Sequence, residues 1–216
     1  MDDDARQSAF LTALTTEHFV LQTASSSTIS DAAARSSLYV FALSSSVVAM
    51  GFTSQSPDLF VPFIAAILPA VFVLGVFTVV RLVDTVLENN QYLAGIARIR
   101  GYYRTLTPEA ETYFAAKTGR WPEATSAPAL GLGPTLAFLG TTASMIAFIN
   151  SVVAGVGIAL LVNALAADDQ AILGPIFGVI GVTVLMVAFL AYERWRFSGM
   201  DLAAPAASGS LQIEDG

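Results

Sequence analysis

Four long apolar stretches divide the chain into polar pieces, and they lie at roughly 36–56, 60–80, 135–166 and 172–192. A helix needs about 20 apolar residues, each rising ~1.5 Å, to cross a hydrocarbon core of ~30 Å. The second stretch is the clearest because it carries no charge between Asp58 and Arg81. The pattern therefore predicts an all-α membrane protein with four transmembrane helices in two hairpins.

The polar pieces predict a cytoplasmic helical hairpin between transmembrane helices 2 and 3. Good helix formers continue from Arg81 to Tyr103, so we expect the second span to extend beyond the membrane. Thr107, Pro108 and Glu109 are typical of a helix start, and we expect this second helix to end before Gly119. The predicted organisation is a cytoplasmic N-terminal helix in 1–35, a transmembrane hairpin in 36–80, a cytoplasmic helical hairpin and linker in 81–134, a second transmembrane hairpin in 135–192, and a mostly disordered cytoplasmic tail in 193–216.

All ten Lys and Arg residues fall outside the two short loops that join spans 1 and 2 and spans 3 and 4. The only charged residues in those loops are acids, namely Asp58, Asp168 and Asp169. Basic residues near helix ends remain in the cytoplasm, so both termini are expected there. The composition agrees with a membrane protein, since 55% of the residues are hydrophobic and 12% are charged. The net charge of -7 does not favour nucleic-acid binding.

Candidate catalytic chemistry is sparse. The absence of cysteine excludes disulfides and thiolate sites, and a single histidine cannot form a histidine cluster around a metal. We interpret His18 as a surface residue, although a proton-transfer pair with Glu17 is the alternative. A lipid enzyme would need that pair or Arg81 with Asp84 as acid and base. The sequence therefore predicts a protein that is not an enzyme and has no cofactor, metal site or catalytic residue.

In the third span a small residue recurs at every fourth position, and in the fourth span two glycines lie four residues apart. Such positions let helix backbones approach closely in lipid, where dispersion and interhelical hydrogen bonds drive association. Tight packing of the two helices is therefore predicted at Ala143, Ala147, Ser151, Gly155, Gly174 and Gly178.

Polar residues inside the spans are candidate pore or register positions, namely Ser45 within the Ser44–Ser46 run and Asn150. Asn150 either lines a pore or fixes register in an oligomer, or it bonds a neighbouring helix of the same subunit. Three arginines between spans 2 and 3 are candidates for a headgroup or other phosphate ligand, because guanidinium binds phosphate through two hydrogen bonds. Pairing with nearby glutamates and plain membrane anchoring are the alternatives for Arg98, Arg100 and Arg104.

Two parts of the chain resemble known membrane families. They are Glu17-His18-Phe19 through Ser36, and Val80-Arg81-Leu82-Val83 followed by Ile99-Arg100-Gly101-Tyr102-Tyr103. Over most of residues 15–115 the chain resembles a family of small bacterial multi-pass integral membrane proteins without assigned function. More loosely, the first half is similar to SLATT-type modules, which implies a pore-forming effector. The chain departs from that pattern by its four predicted spans and by having no attached sensor domain.

These expectations place the chain in the bacterial inner (cell) membrane and favour action through assembly, as an oligomeric scaffold or a pore-like effector gated from the cytoplasmic hairpin. A small channel or transporter subunit for a neutral solute is the alternative, and a membrane lipid enzyme is a third. The expected partners are the lipid bilayer and further copies of the chain. A cytoplasmic protein bound at residues 81–120 is a further candidate partner.

Overall fold

A computed structural model describes residues 2–114, 141–165 and 172–198. The all-α prediction is confirmed, since these residues are almost entirely helical and form no strand. The helices are α1 (Asp3–Thr53), α2 (Pro57–Arg104), α3 (Ala110–Phe114), α4 (Thr142–Leu165) and α5 (Leu173–Ser198). Four of them, α1, α2, α4 and α5, are long and apolar enough to cross a membrane, as the hydrophobic pattern predicts.

Helix α1 is a single helix of 51 residues, which continues through the predicted boundary between the N-terminal segment (1–35) and the first span. The reason is local: no glycine or proline occurs before Gly51, so nothing interrupts the backbone hydrogen bonds. At ~1.5 Å per residue, α1 is about 76 Å long. It ends at a short turn, where the Ser54 N–H donates to the Met50 carbonyl.

Helix α2 begins at Pro57, where the missing N–H costs no hydrogen bond. It continues to Arg104, which confirms that the second apolar stretch and the segment 81–103 form one helix. Pro69 lies inside this helix, so the carbonyl four residues earlier loses its intrahelical donor.

Helices α1 and α2 run antiparallel and pack against each other over most of their length. At the end remote from the turn, the ring of Phe10 meets the ring of Tyr102 edge-on at 5.3 Å. Further along, Leu21 lies against Gly95. The N-terminal part of α1 therefore packs on α2.

The described start of α3 is Ala110, three residues later than its predicted cap. Thr107 and Glu109 instead form turns, with their carbonyls accepting the N–H groups of Ala110 and Thr112. The predicted remainder of that helix and the linker to residue 134 lie outside the described residues. So do the predicted first residues of the third span (135–140), the loop acids Asp168 and Asp169, and the predicted tail after residue 198, whereas Asp58 lies in the first turn of α2.

Helix α2 is central to the arrangement, because it packs against α1 on one side and α4 on another, while α4 packs against α5. The core lies where these helices converge. Its largest fully buried side chains are Tyr39 from α1, Leu82 and Val83 from α2, and Ile146 from α4, whereas Ile96 is fully buried farther along α2, outside this cluster.

Candidate functional site

A buried polar contact joins three helices inside the bundle. The Tyr39 hydroxyl donates a hydrogen bond of 3.2 Å to Asn150 Oδ1. Tyr39 is 0% exposed and Asn150 5% exposed, so water does not compete for this bond. The Asn150 amide lies directly over Gly75 of α2, where even a methyl group would overlap it. Asn150 thus fixes the positions of α1, α2 and α4 relative to one another.

Helices α4 and α5 approach each other at the level of their backbones. A methyl group on Gly155 would lie 2.8 Å from the Gly178 carbonyl oxygen and 2.5 Å from Val182 Cγ2. Farther out, Gly174 lies against the Asn163 amide and the Ala159 carbonyl. The predicted packing residues of α4 and α5 are all buried: Ala143, Ala147, Ser151, Gly155, Gly174 and Gly178. Ala143 and Ala147 belong to the core cluster that also contains Val79, Leu82 and Val83 of α2.

A crevice of about 230 Å³ opens between α2, α4 and α5. Its walls are apolar, with Val76 and Phe72 on α2 and Leu185 on α5. Asn150 and Ser151 provide its polar lining, and the Ser151 hydroxyl donates to the Ala147 carbonyl. The crevice has the composition of a small apolar pocket with few polar groups.

A belt of charged residues surrounds the bundle at one end of the apolar stretches, and we call it the charged belt. Arg81 donates to Glu88 at 2.9 Å and lies 3.9 Å from Asp31, which also pairs with Arg35. A second group consists of Asp84, Arg196 and Glu193. Arg196 of α5 pairs with Asp84 of α2, so the belt joins α1, α2 and α5.

Glu193 is the most enclosed charged residue of the charged belt. It is only 3% exposed, and its Oε2 atom is buried with no hydrogen-bond partner among the residues that the structure describes. The Nε atom of Arg196 is enclosed in the same way, one helical turn farther along α5. A buried carboxyl group without a partner is costly, so this position tolerates little change in its surroundings.

Beyond the charged belt, α1 and α2 continue as a two-helix extension, which we call the arm (residues 3–30 and 85–104). Polar side chains join its helices near the belt, where Asn89 Oδ1 accepts hydrogen bonds from Ser25 (2.6 Å) and Thr28 (3.3 Å). At the far end, Arg100 Nη2 donates to the Phe114 carbonyl at 2.7 Å. Arg100 therefore attaches α3 to the arm.

The three candidate arginines have different neighbours. Arg98 lines a groove between α1 and α2, whereas Arg100 contacts the end of α3. Arg104 lies close to Gly101 in the last turn of α2.

The structure also gives the surroundings of the remaining candidate residues. Ser45 is exposed, and its neighbour Ser46 is the buried hydroxyl, which donates to the Ala42 carbonyl at 2.7 Å. His18 is half-buried with its Nδ1 atom enclosed, because it shares a helix face with Leu14 and Leu21. Glu17 beside it is exposed. Arg81 and Asp84 form ion pairs with other residues and not with each other.

Sequence reasoning missed Tyr39, Gly75, Asn89 and Glu193. A signal existed for Tyr39, since a buried tyrosine hydroxyl usually finds a partner and Asn150 needed one. No signal existed for Gly75, because its role depends on which helix lies beside α4.

The fold places this chain among all-α proteins whose long helices are apolar enough to cross a membrane. Comparisons with protein-family models, with curated proteins and with solved structures found no match. Within residues 2–114, 141–165 and 172–198, no three His, Cys, Asp or Glu side chains are placed to hold a metal ion.

Proposed function

We propose that this protein is a multi-pass membrane protein of the bacterial inner membrane that acts through assembly with its own copies. In this proposal α1, α2, α4 and α5 cross the bilayer as two hairpins, the charged belt lies at the cytoplasmic boundary, and the arm projects into the cytoplasm. Assembled copies form a scaffold or a pore-like effector whose state is set through the arm.

One observation carries this proposal: α1 and α2 pass without interruption from the arm into the apolar bundle. A force or a partner acting on the arm therefore acts on the same two helices that contact Asn150 in the bundle. The charged belt supports the orientation, because its arginines lie where the apolar stretches end.

The orientation is tested by single cysteines, which the chain itself lacks. Ser56→Cys lies in the turn between α1 and α2, and Thr105→Cys lies at the end of the arm. A membrane-impermeant maleimide should label the first in intact cells (spheroplasts where an outer membrane is present) and the second only after permeabilisation. The reverse pattern would refute the orientation.

Assembly is tested by cross-linking in native membranes together with the mass of the protein in nanodiscs. We expect a defined species larger than one chain, and conductance in planar bilayers if the assembly forms a pore. A chain that remains monomeric in both measurements and conducts no ions would contradict the proposed function.

A second candidate, a small channel or transporter subunit for a neutral solute, draws on the crevice beside Asn150 and Ser151. A flux assay in a deletion strain separates it from the first, with Ser151→Ala as the variant at the crevice. Loss of flux with unchanged assembly would favour a channel or transporter subunit for a neutral solute.

A further inference from the structure

A groove of about 370 Å³ runs along one side of the arm, between α1 and α2. Its floor is largely apolar, with Phe10 and Leu14 from α1 and Ile99 and Tyr102 from α2. The Phe10 ring remains 49% exposed despite its edge-on contact with Tyr102. If the arm lies in water, as the proposed function requires, this apolar strip is a candidate contact surface.

One acid and one base line opposite sides of this groove. Glu17 lies on α1 and Arg98 on α2, and both are exposed. The contact between Leu21 and Gly95 and that between Phe10 and Tyr102 bracket them, so the two charges lie at about the same height. Neither Glu17 nor Arg98 has a hydrogen bond or an ion pair with any residue that the structure describes.

We propose that this groove is a contact between two copies of the chain, in which Glu17 of each copy pairs with Arg98 of the other. Copies held in one bilayer with the same orientation are related by a two-fold axis along the membrane normal. When their grooves face each other, α1 of one copy opposes α2 of the second. Because Glu17 and Arg98 lie at equal height, Glu17 of each copy then lies opposite Arg98 of the other. Each pair of copies forms two such contacts.

The apolar floor and the charges have different parts in this contact. Exposed ion pairs add little affinity, whereas like charges placed opposite each other disfavour a contact strongly. The apolar strip therefore contributes the attraction. Glu17 and Arg98 fix the height at which the copies meet. This inference rests on the proposed function, since it names the surface through which assembly begins.

The test is resonance energy transfer between donor- and acceptor-labelled full-length chains in liposomes, with the dye on Ser8→Cys in the otherwise cysteine-free chain. Glu17→Arg and Arg98→Glu should each weaken association about tenfold, because two attractive pairs become repulsive. Mixing the two variants should restore association to within about twofold of wild type, because each charge then meets its opposite. The double variant should associate with itself equally well.

Glu111→Arg is the matched control, since it reverses an exposed acid on α3, away from the groove, and should leave association unchanged. Association that is unaffected by either groove variant overturns the proposed contact while assembly itself stands. A third outcome is that the single variants weaken association, the mixture does not restore it, and the double variant does. Glu17 would then pair with Arg98 of the same chain, and this result would also overturn the proposed contact. Wild-type chains without energy transfer at any dilution overturn both the contact and the proposed function.

Discussion

The α4–α5 crossing and the arm of α1 and α2 join antiparallel helices in opposite ways. At the crossing, backbones touch through Gly155 and Gly178 in an apolar region. In the arm near the charged belt, side-chain hydrogen bonds to Asn89 hold the helices together. Touching backbones cannot slide without separating, whereas a half-buried side-chain hydrogen bond contributes only about 0.5–1.5 kcal/mol and can be replaced by one with water. The comparison indicates a rigid contact between α4 and α5 inside the bundle, which we call the rigid joint, and an adjustable contact between α1 and α2 in the arm.

The largest expected effect is at the rigid joint. Gly155→Ala should lower the free energy of unfolding by about 3 kcal/mol, because its methyl group meets a backbone carbonyl that no rotamer change can move. Gly157→Ala is the control on the same helix, since its methyl group would lie 3.8 Å from Leu68 Cδ1, an ordinary contact. Equilibrium unfolding in mixed micelles measures both, and equal losses would refute the rigid joint.

The second prediction concerns the three-helix contact at Asn150. Gly75→Ala should cost about 2 kcal/mol, because its methyl group overlaps the Asn150 amide. In an Asn150→Ala background that overlap disappears, so the same change should cost about 1–2 kcal/mol less. A double-mutant cycle in mixed micelles measures the coupling. Strictly additive losses would show that the two side chains do not meet.

The third prediction compares two ion pairs of the charged belt. Asp84→Asn should cost about 1 kcal/mol, because it removes the anion that links α2 to Arg196 on α5. Arg35→Gln breaks a pair within one turn of α1 and should cost about 0.3 kcal/mol. Melting temperatures of the purified proteins would rank them, and the reverse order would argue against a linking role for Asp84.

The smallest effect is expected in the arm. Asn89→Ala removes the acceptor for Ser25 and Thr28 and should cost about 0.5–1 kcal/mol, since water replaces part of what is lost. Asn90→Ala is the neighbouring control and should be close to neutral. Hydrogen exchange along residues 20–30 and 85–95 should rise in the first variant only. A loss as large as that of Gly155→Ala would remove the distinction between the two joints.

Much of the fold could be predicted because hydrophobic length is a local property. The apolar stretches marked the four long helices, and the helix formers after Arg81 showed that α2 continues. At residue 35 the polarity of the chain changes, but the secondary structure does not. Helix α1 passes through that change because nothing in its backbone chemistry ends it.

The candidate site was less predictable because its contacts join distant parts of the chain. Small residues in α4 and α5 predicted close packing, because a small side chain permits close approach whichever helix lies beside it. Ser45 and Ser46 differ by one position, which turns the side chain by about 100°, and only the placement of the neighbouring helices decides which of the two is buried. The burial of Glu193 likewise depends on which helices lie beside α5.

The continuity of α1 has a mechanical consequence in the proposed orientation. Because α1 is one unbroken helix, a small tilt at the membrane moves its far end by a much larger distance. Tilting an arm of ~40 Å by about 5° displaces its tip by about 3–4 Å. The same tilt displaces atoms close to the pivot by only a fraction of an ångström. A modest movement at the membrane thus becomes a large change in spacing at the tip. The reverse holds too, so a small force applied at the tip acts with leverage on the helices around Asn150.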